Sequence, residues 1–383
     1  MNAIEGALRG DAPARETRPQ GVAAGHARKE RYAVRYLGVL LVFAPVAIVG
    51  SIAGLSPTLL FVASALAVIP TAGVLGRATE ELAAHTGPRL GGLLNATLGN
   101  AAELIITLFA IRAGLLDLVK ASITGSILGN VLLVTGASVL AGGVKHGVQR
   151  FNRTHAGVNA TQLLLAVLAL TIPSLFFFAH TETSGPVESL SLGTAVAMIA
   201  VYALGLRFAF RSSGPEPALA REVEAEHPGT WTVRRSLLAL LAATALIAWL
   251  SEILVGSVEH TTRALGLSEF FIGIIVVPLV GNVAEHAVAV QAAWKNKMEL
   301  AMAVSVGSSL QIALFVAPVL VFVSLLMGHP LTLVFKPVEI VALSAGVLIA
   351  AFVSQDGETN WLEGAQLLIV YLILALAFFF VPA

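Results

Sequence analysis

The chain has 383 residues, of which 57% are apolar and only 12% charged, whereas soluble proteins hold roughly 45–50% and roughly 25%. That composition excludes an ordinary soluble domain, and 23 basic against 23 acidic residues imply no nucleic-acid partner. With no cysteine in the chain, disulfides, thiolate nucleophiles and cysteine-ligated metals are excluded as well, which leaves oxygen ligands and hard cations.

Residues 1–31 are polar and mixed in charge, with Arg15, Arg18, Arg28, Lys29 and Arg31 among several Gly, Ala and Pro, and they read as a disordered tail. They hold neither the short apolar core nor the cleavage site of a secretory signal, so insertion is expected to begin with the first span. Continuous apolar runs of about 20 residues then recur, as in a helical bundle; barrel strands would alternate instead. Spans are predicted at about 34–53, 58–76, 92–112, 121–142, 160–180, 190–210, 235–254, 269–293, 300–327, 332–353 and 362–381, eleven in all. Pro70, Pro173, Pro278 and Pro318 fall inside them and are tolerated because neighbouring helices re-satisfy the freed backbone groups.

The loops on one face carry Arg77, Arg89, Lys145, Arg150, Arg153, Arg207, Arg211, Arg221, Arg234, Arg235, Lys295 and Lys297, against Arg112, Lys120, Arg263 and Lys336 on the other. This bias puts the basic face and the amino terminus in the cytoplasm and, with an odd number of spans, the carboxyl terminus outside. The long connection 211–234 contains Glu216, Glu222, Glu224 and Glu226. It reads either as a solvated linker helix or as a patch that gathers or senses cytoplasmic cations, since clustered carboxylates concentrate cations within a Debye length of about 8 Å.

Shifting the sequence by 182 residues lays one half on the other without a gap. Gly99, Asn100, Ala102 and Glu103 fall on Gly281, Asn282, Ala284 and Glu285; Leu118, Ala121, Gly125, Ser126 and Leu128 fall on Leu300, Ala303, Gly307, Ser308 and Leu310. The first copy begins in the third span and the second in the eighth, so the two enter the membrane from opposite faces. The expected fold is therefore an all-α polytopic bundle: an extra first helix at 34–53, a five-helix repeat at 58–210, the acidic linker, and an inverted five-helix repeat at 235–381. Inverted repeats build secondary transporters with midplane sites at broken helices, and an acid at that depth is expensive and functional. Gly99-Asn100 and Gly281-Asn282 are the expected breaks, because glycine weakens a helix and frees carbonyl groups; the other reading is that these glycines allow close helix packing. Ser126 with Asn130, and Ser308 with Gln311, share helix faces that turn towards the acids. For the two serines, ligation and hydrogen bonding within the protein stand as equal readings.

The segments GNAAELIITLFA with GSILGNVLLV, and GNVAEHAVAVQAAWKNKMELAMAVSVGSSLQIALFV, resemble the two repeat regions of calcium/proton exchangers in the cation/calcium exchanger superfamily. The likeness runs from about Leu37 to the carboxyl terminus and includes GRATEELAAHTGP and DGETNWLEG. Two GNxxE motifs, with His286 after the second acid and Gln311 beyond, favour the proton-coupled branch. The resemblance implies that Glu103 and Glu285 carry cation and protons, helped by Asn100, Asn282, Ser126, Ser308 and Gln311, while the repeats rock. Gln311 falls on Gly129 in the alignment, so Asn130 departs from the pattern.

A divalent cation and protons would then compete for the two acids, with calcium as the transported ion and no cofactor. His286 reads either as a gating or relay residue or as a hydrogen-bonded structural histidine. Glu339 with Lys336 reads as an interfacial ion pair, and Glu80, Glu81, Glu252 and Glu259 as interfacial acids. The alternatives are a sodium- or potassium-coupled exchanger, a manganese antiporter and, from a different class, a cation channel. A channel more often builds its pore from oligomeric loops, and a metallohydrolase would need a cluster such as HExxH, which does not occur. Short loops and Ala-rich composition favour a prokaryotic plasma membrane; a homo-oligomer is left open.

Overall fold

A backbone surrounded by lipid must satisfy its own polar groups, and this chain does so almost wholly in helices. The computed structural model describes residues 38–180, 184–211 and 230–382; the expected tail at 1–31 and the linker acids Glu216, Glu222, Glu224 and Glu226 lie outside them. The compact unit from Leu40 onwards contains α1 (Phe43–Ala53), α2 (Pro57–Ala83), α3 (Gly87–Leu98), α4 (Ala101–Arg112), α5 (Leu116–His146), α6 (Arg153–Ala179) and α7 (Ser184–Arg211). After the linker come α8 (Val233–Gly256), α9 (Val258–Leu265), α10 (Glu269–Trp294), α11 (Met298–Leu326), α12 (Pro337–Val353) and α13 (Trp361–Phe379). Among the described residues, eight stretches are long and apolar enough to cross a bilayer. Adding Leu40–Ala53, Pro337–Val353 and the broken pair α3–α4 matches the eleven expected spans.

Local chemistry sets the ends. Pro57 opens α2 and Pro337 opens α12, where the missing N–H costs nothing. Asn152 caps α6, Thr232 caps α8, and Asn360 with Glu363 forms a capping box on α13. Three π segments, Gly129–Val134 in α5, Ile272–Val276 in α10 and Ile312–Val316 in α11, were not legible in the periodicity. The short amphipathic α9 buries Val258 and Thr261 and pairs Arg263 with Glu259; it is an addition to the expected spans.

Contacts sort the loops into the two faces that the charge bias predicts. On the basic face, β1 (Gln149–Arg150) pairs antiparallel with β2 (Glu358–Thr359), and Lys145 Nζ and His146 Nε2 reach the Trp294 carbonyl at 2.8 and 2.9 Å. Glu81, expected as an ordinary interfacial acid, is buried; its carboxylate accepts from Thr230 N, Thr230 Oγ1 and Trp231 N at 2.7 to 2.9 Å. On the opposite face Arg112 approaches Glu252 at 3.9 Å and Lys120 pairs with Asp117 at 2.8 Å.

Two expectations fail at α12. The helix begins at Pro337, not near 332, because proline disfavours helical backbone before it and three serines take up the N–H groups of residues 331, 333 and 335. Ser324 Oγ accepts from Leu331 N, Ser191 Oγ from Leu333 N, and Ser174 Oγ from Phe335 N, at 2.8 to 3.0 Å. Glu339 is not in an interfacial pair with the Lys336 ammonium. It is 2% exposed, accepts from Lys336 N at 2.7 Å and Thr124 Oγ1 at 3.0 Å, and the Lys336 Nζ lies over the Phe270 ring. Replacing the fully buried Ser174 by Ala leaves the Phe335 N–H without its partner. The expected loss is ~1–3 kcal/mol, read as a lower midpoint of thermal unfolding in detergent; an unchanged midpoint would contradict this account of the segment.

Candidate functional site

The four helices that carry the repeated motifs meet at the middle of the bundle. The chain breaks between α3 and α4 at Gly99–Asn100, as expected, and Glu103 lies in the first turn of α4. The second expected break is absent: α10 runs through Gly281 and Asn282 as regular helix, and its irregular turn lies upstream at Ile272–Val276. Gly281 serves close approach instead. A Cβ there would sit 2.9 Å from Glu103 Cγ, and one on Gly99 would sit 3.6 Å from Glu285 Oε1 and 3.6 Å from Gln311 Oε1. Each repeat's glycine thus faces the acid of the other repeat.

Glu103 is 2% exposed. Asn282 Nδ2 donates to its Oε1 at 2.6 Å, and Ser126 Oγ donates to the same oxygen. In the other half, Asn100 Nδ2 donates to Gln311 Oε1 at 2.7 Å and Ser308 Oγ to Asn100 Oδ1 at 3.0 Å, while Ser308 also interacts with Glu285. Among the described residues, Glu103 Oε2 and Glu285 Oε2 are buried without a hydrogen-bond partner. Such oxygens are costly unless protons or a cation satisfy them. Donors on Oε1 orient the Glu103 carboxylate and leave Oε2 for that role.

Asn130 does not join this set. Its Oδ1 faces His286 Nε2 at 3.2 Å, and its Nδ2 has no partner. The physical reason is register: Asn130 stands one residue beyond Gly129, the equivalent of Gln311, and so points about 100° further round α5, towards His286 of α10. Gln311, just before the π segment of α11, stays in the set.

The two halves differ around this core. In α5, Ala121 to Asn130 are all buried, and the backbone of Ile274 in α10 packs directly on Gly125; a Cβ on Gly273 would meet Leu118 O at 2.8 Å. The equivalents in α11, Ala303, Val304, Val306 and Gly307, are half-exposed, and a Cβ on Gly307 would meet nothing within 4 Å. Gly91 instead packs on Ala83 O. The site is therefore closely packed towards the Lys120 face and more loosely packed, at Gly307 and half-buried Glu285, towards the basic face. These gate glycines were not singled out as a gate, although Gly91 and Gly273 also lie 182 residues apart.

Comparison with known proteins follows the same lines. The model of the sodium/calcium exchanger protein family matches residues 56–211 and 235–380. The chain is 44% identical over 360 residues to a Ca2+/H+ antiporter of Synechocystis sp., covering 90% of this chain and 97% of that one. It is 43% identical over 338 residues to the Ca2+/H+ antiporter ChaA of Bacillus subtilis, covering 88% and 96%. The solved structure of native YfkE superimposes with a TM-score of 0.79 at 40% identity, covering 90% of this chain and 99% of that one.

Proposed function

The chain belongs to the sodium/calcium exchanger protein family, and from that premise we propose that it is a calcium/proton antiporter, moving calcium out of the cytoplasm in exchange for protons. The observation that carries the reading is the pair Glu103 and Glu285, each set across a glycine of the opposite repeat and each with one buried oxygen left for a ligand. Two carboxylates in low dielectric need neutralising charge. Two protons supply it, or one divalent cation does, and both together are in excess. Cation and protons thereby exclude each other at one site.

Asn282 and Ser126 orient Glu103; on the other side Ser308 contacts Glu285, and Asn100 and Gln311, bonded into the same set, supply further oxygen atoms, suiting a cation that takes six to eight oxygen ligands. The basic face is the cytoplasmic one, with the amino terminus inside, the carboxyl terminus outside and a prokaryotic plasma membrane as the setting. The more loosely packed side at Gly307 then faces the cytoplasm. The chain divides into repeats at 58–210 and 235–381, with the acidic linker 211–234 between them and a single helix at 34–53 before the first; the family match over 56–211 and 235–380 supports this division.

Calcium-45 uptake into inside-out vesicles or proteoliposomes, acid inside, tests the reading. Uptake that collapses with a protonophore and ignores sodium and potassium supports it; uptake that needs a sodium or potassium gradient instead contradicts proton coupling. Competition also fixes the sign of the pH dependence. Raising the pH on the cytoplasmic side strips protons from the acids, so half-saturating calcium falls while the maximal rate stays constant. A maximal rate that changes while half-saturation stays fixed would speak against a shared site.

A further inference from the structure

Seven buried side-chain atoms have no hydrogen-bond partner among the described residues, and four lie along or against the single helix α5: Glu103 Oε2, Asn130 Nδ2, Ser138 Oγ and Gln149 Oε1. Asn130, Ser138 and Gln149 are 1%, 0% and 2% exposed, so bulk solvent does not satisfy them. Ser126, Asn130, Thr135, Ser138 and Gly142 follow one another at intervals of four, five, three and four residues. The five-residue step crosses the π segment, which restores the stripe to one face of the helix.

That face lies against α10 and α11. Thr135 Oγ1 bonds both the Asn130 carbonyl and Ser305 Oγ at 3.0 Å, and Val139 packs with Ala292, Ala293 and Met298. At the basic end Gln149 Nε2 donates to Ala293 O at 3.0 Å and Asn296 Oδ1 at 2.9 Å, while its Oε1 points at Gly142, where no Cβ would fit. A helical turn rises about 5.4 Å, the span of one bridging water between groups on successive turns. Two small residues, Gly142 and Ala293, meet at the basic end of this face.

We infer that the α5–α10 seam is a second, water-bearing passage from the midplane to the cytoplasmic face, and that protons leave by it while the cation enters past Gly307. Buried waters that satisfy such groups form part of a protein's structure. In each transfer one water passes a proton to the next and accepts another behind it, so one proton leaves the midplane and one reaches cytoplasmic water. The inference rests on the antiport reading.

Thr135→Val and Ser138→Ala remove the hydroxyls and leave every cation-site residue in place. Proton-driven calcium uptake should fall about tenfold, equivalent to ~1.4 kcal/mol on the barrier, while calcium/calcium exchange without a pH gradient, which moves no protons, should stay within about twofold on the same scale. Parallel loss of both activities, or loss of neither, would overturn the inference. If the wild-type protein exchanges calcium without any proton coupling, the antiport reading itself fails. A second readout needs no loss of activity: in the naturally cysteine-free chain, Ser138→Cys should react with silver ion added on the cytoplasmic side. An unreactive thiol there would count against a wet seam.

Discussion

Glu103→Gln is expected to insert and fold like the parent protein and to lose calcium/proton exchange. The substitution keeps the shape and one acceptor oxygen, so the bonds from Asn282 Nδ2 and Ser126 Oγ can persist. It replaces the unpartnered Oε2 by an amide that neither takes up a proton nor neutralises a cation. Removing the carboxylate that would face a buried cation is equivalent to breaking a buried ion pair, ~3–5 kcal/mol, a factor of roughly 10²–10³ or more in affinity. Glu285→Gln should do the same through the other repeat. Both are read as the initial rate of proton-driven calcium-45 uptake, with elution volume and circular dichroism reporting the fold. Normal uptake by either variant would remove its acid from the mechanism.

The second large effect is expected at Gly307. A Cβ there meets nothing within 4 Å, and alanine in a helix interior is favoured over glycine by up to about 1 kcal/mol. Gly307→Ala should therefore be at least as stable as the parent. In the repeat's other copy the equivalent Gly125 is closed against the backbone of Ile274. If the two halves exchange conformations, Gly92, the equivalent of Ile274, must pack on Gly307 in the opposite state. An added methyl then overpacks that contact by ~2 kcal/mol, about a thirtyfold shift in population, and turnover falls accordingly. Gly125→Ala strikes the conformation described here and should lower both stability and turnover. A fully active, stable Gly307→Ala protein would contradict the mirrored gate.

The fold was legible where one physical rule dominated. Apolar length gave the spans, the Lys and Arg bias sorted the loops, and the polar matches at a fixed offset showed the repeat. Glu103, Glu285 and their Asn, Ser and Gln neighbours came together as expected because their spacing puts them on facing helix surfaces. What failed depended on tertiary context. The π turns have no periodicity of their own, and the one-residue offset of Asn130 from the position equivalent to Gln311 turns it to His286. The unbroken helix at Gly281 reflects the approach of Glu103 from another element, and the burial of Glu339 and Glu81 depends on Thr124 and on Thr230 and Trp231, residues distant in sequence. No local pattern reports such partners.

Proton release on calcium binding tests the central claim most directly. Calcium is added to purified protein in weak buffer with a pH indicator, alongside Glu103→Gln and Glu285→Gln. Competition at the two acids predicts that calcium expels protons from the wild-type protein and that release is lost in both variants. Calcium binding with equal affinity across pH, with no protons released, would contradict it.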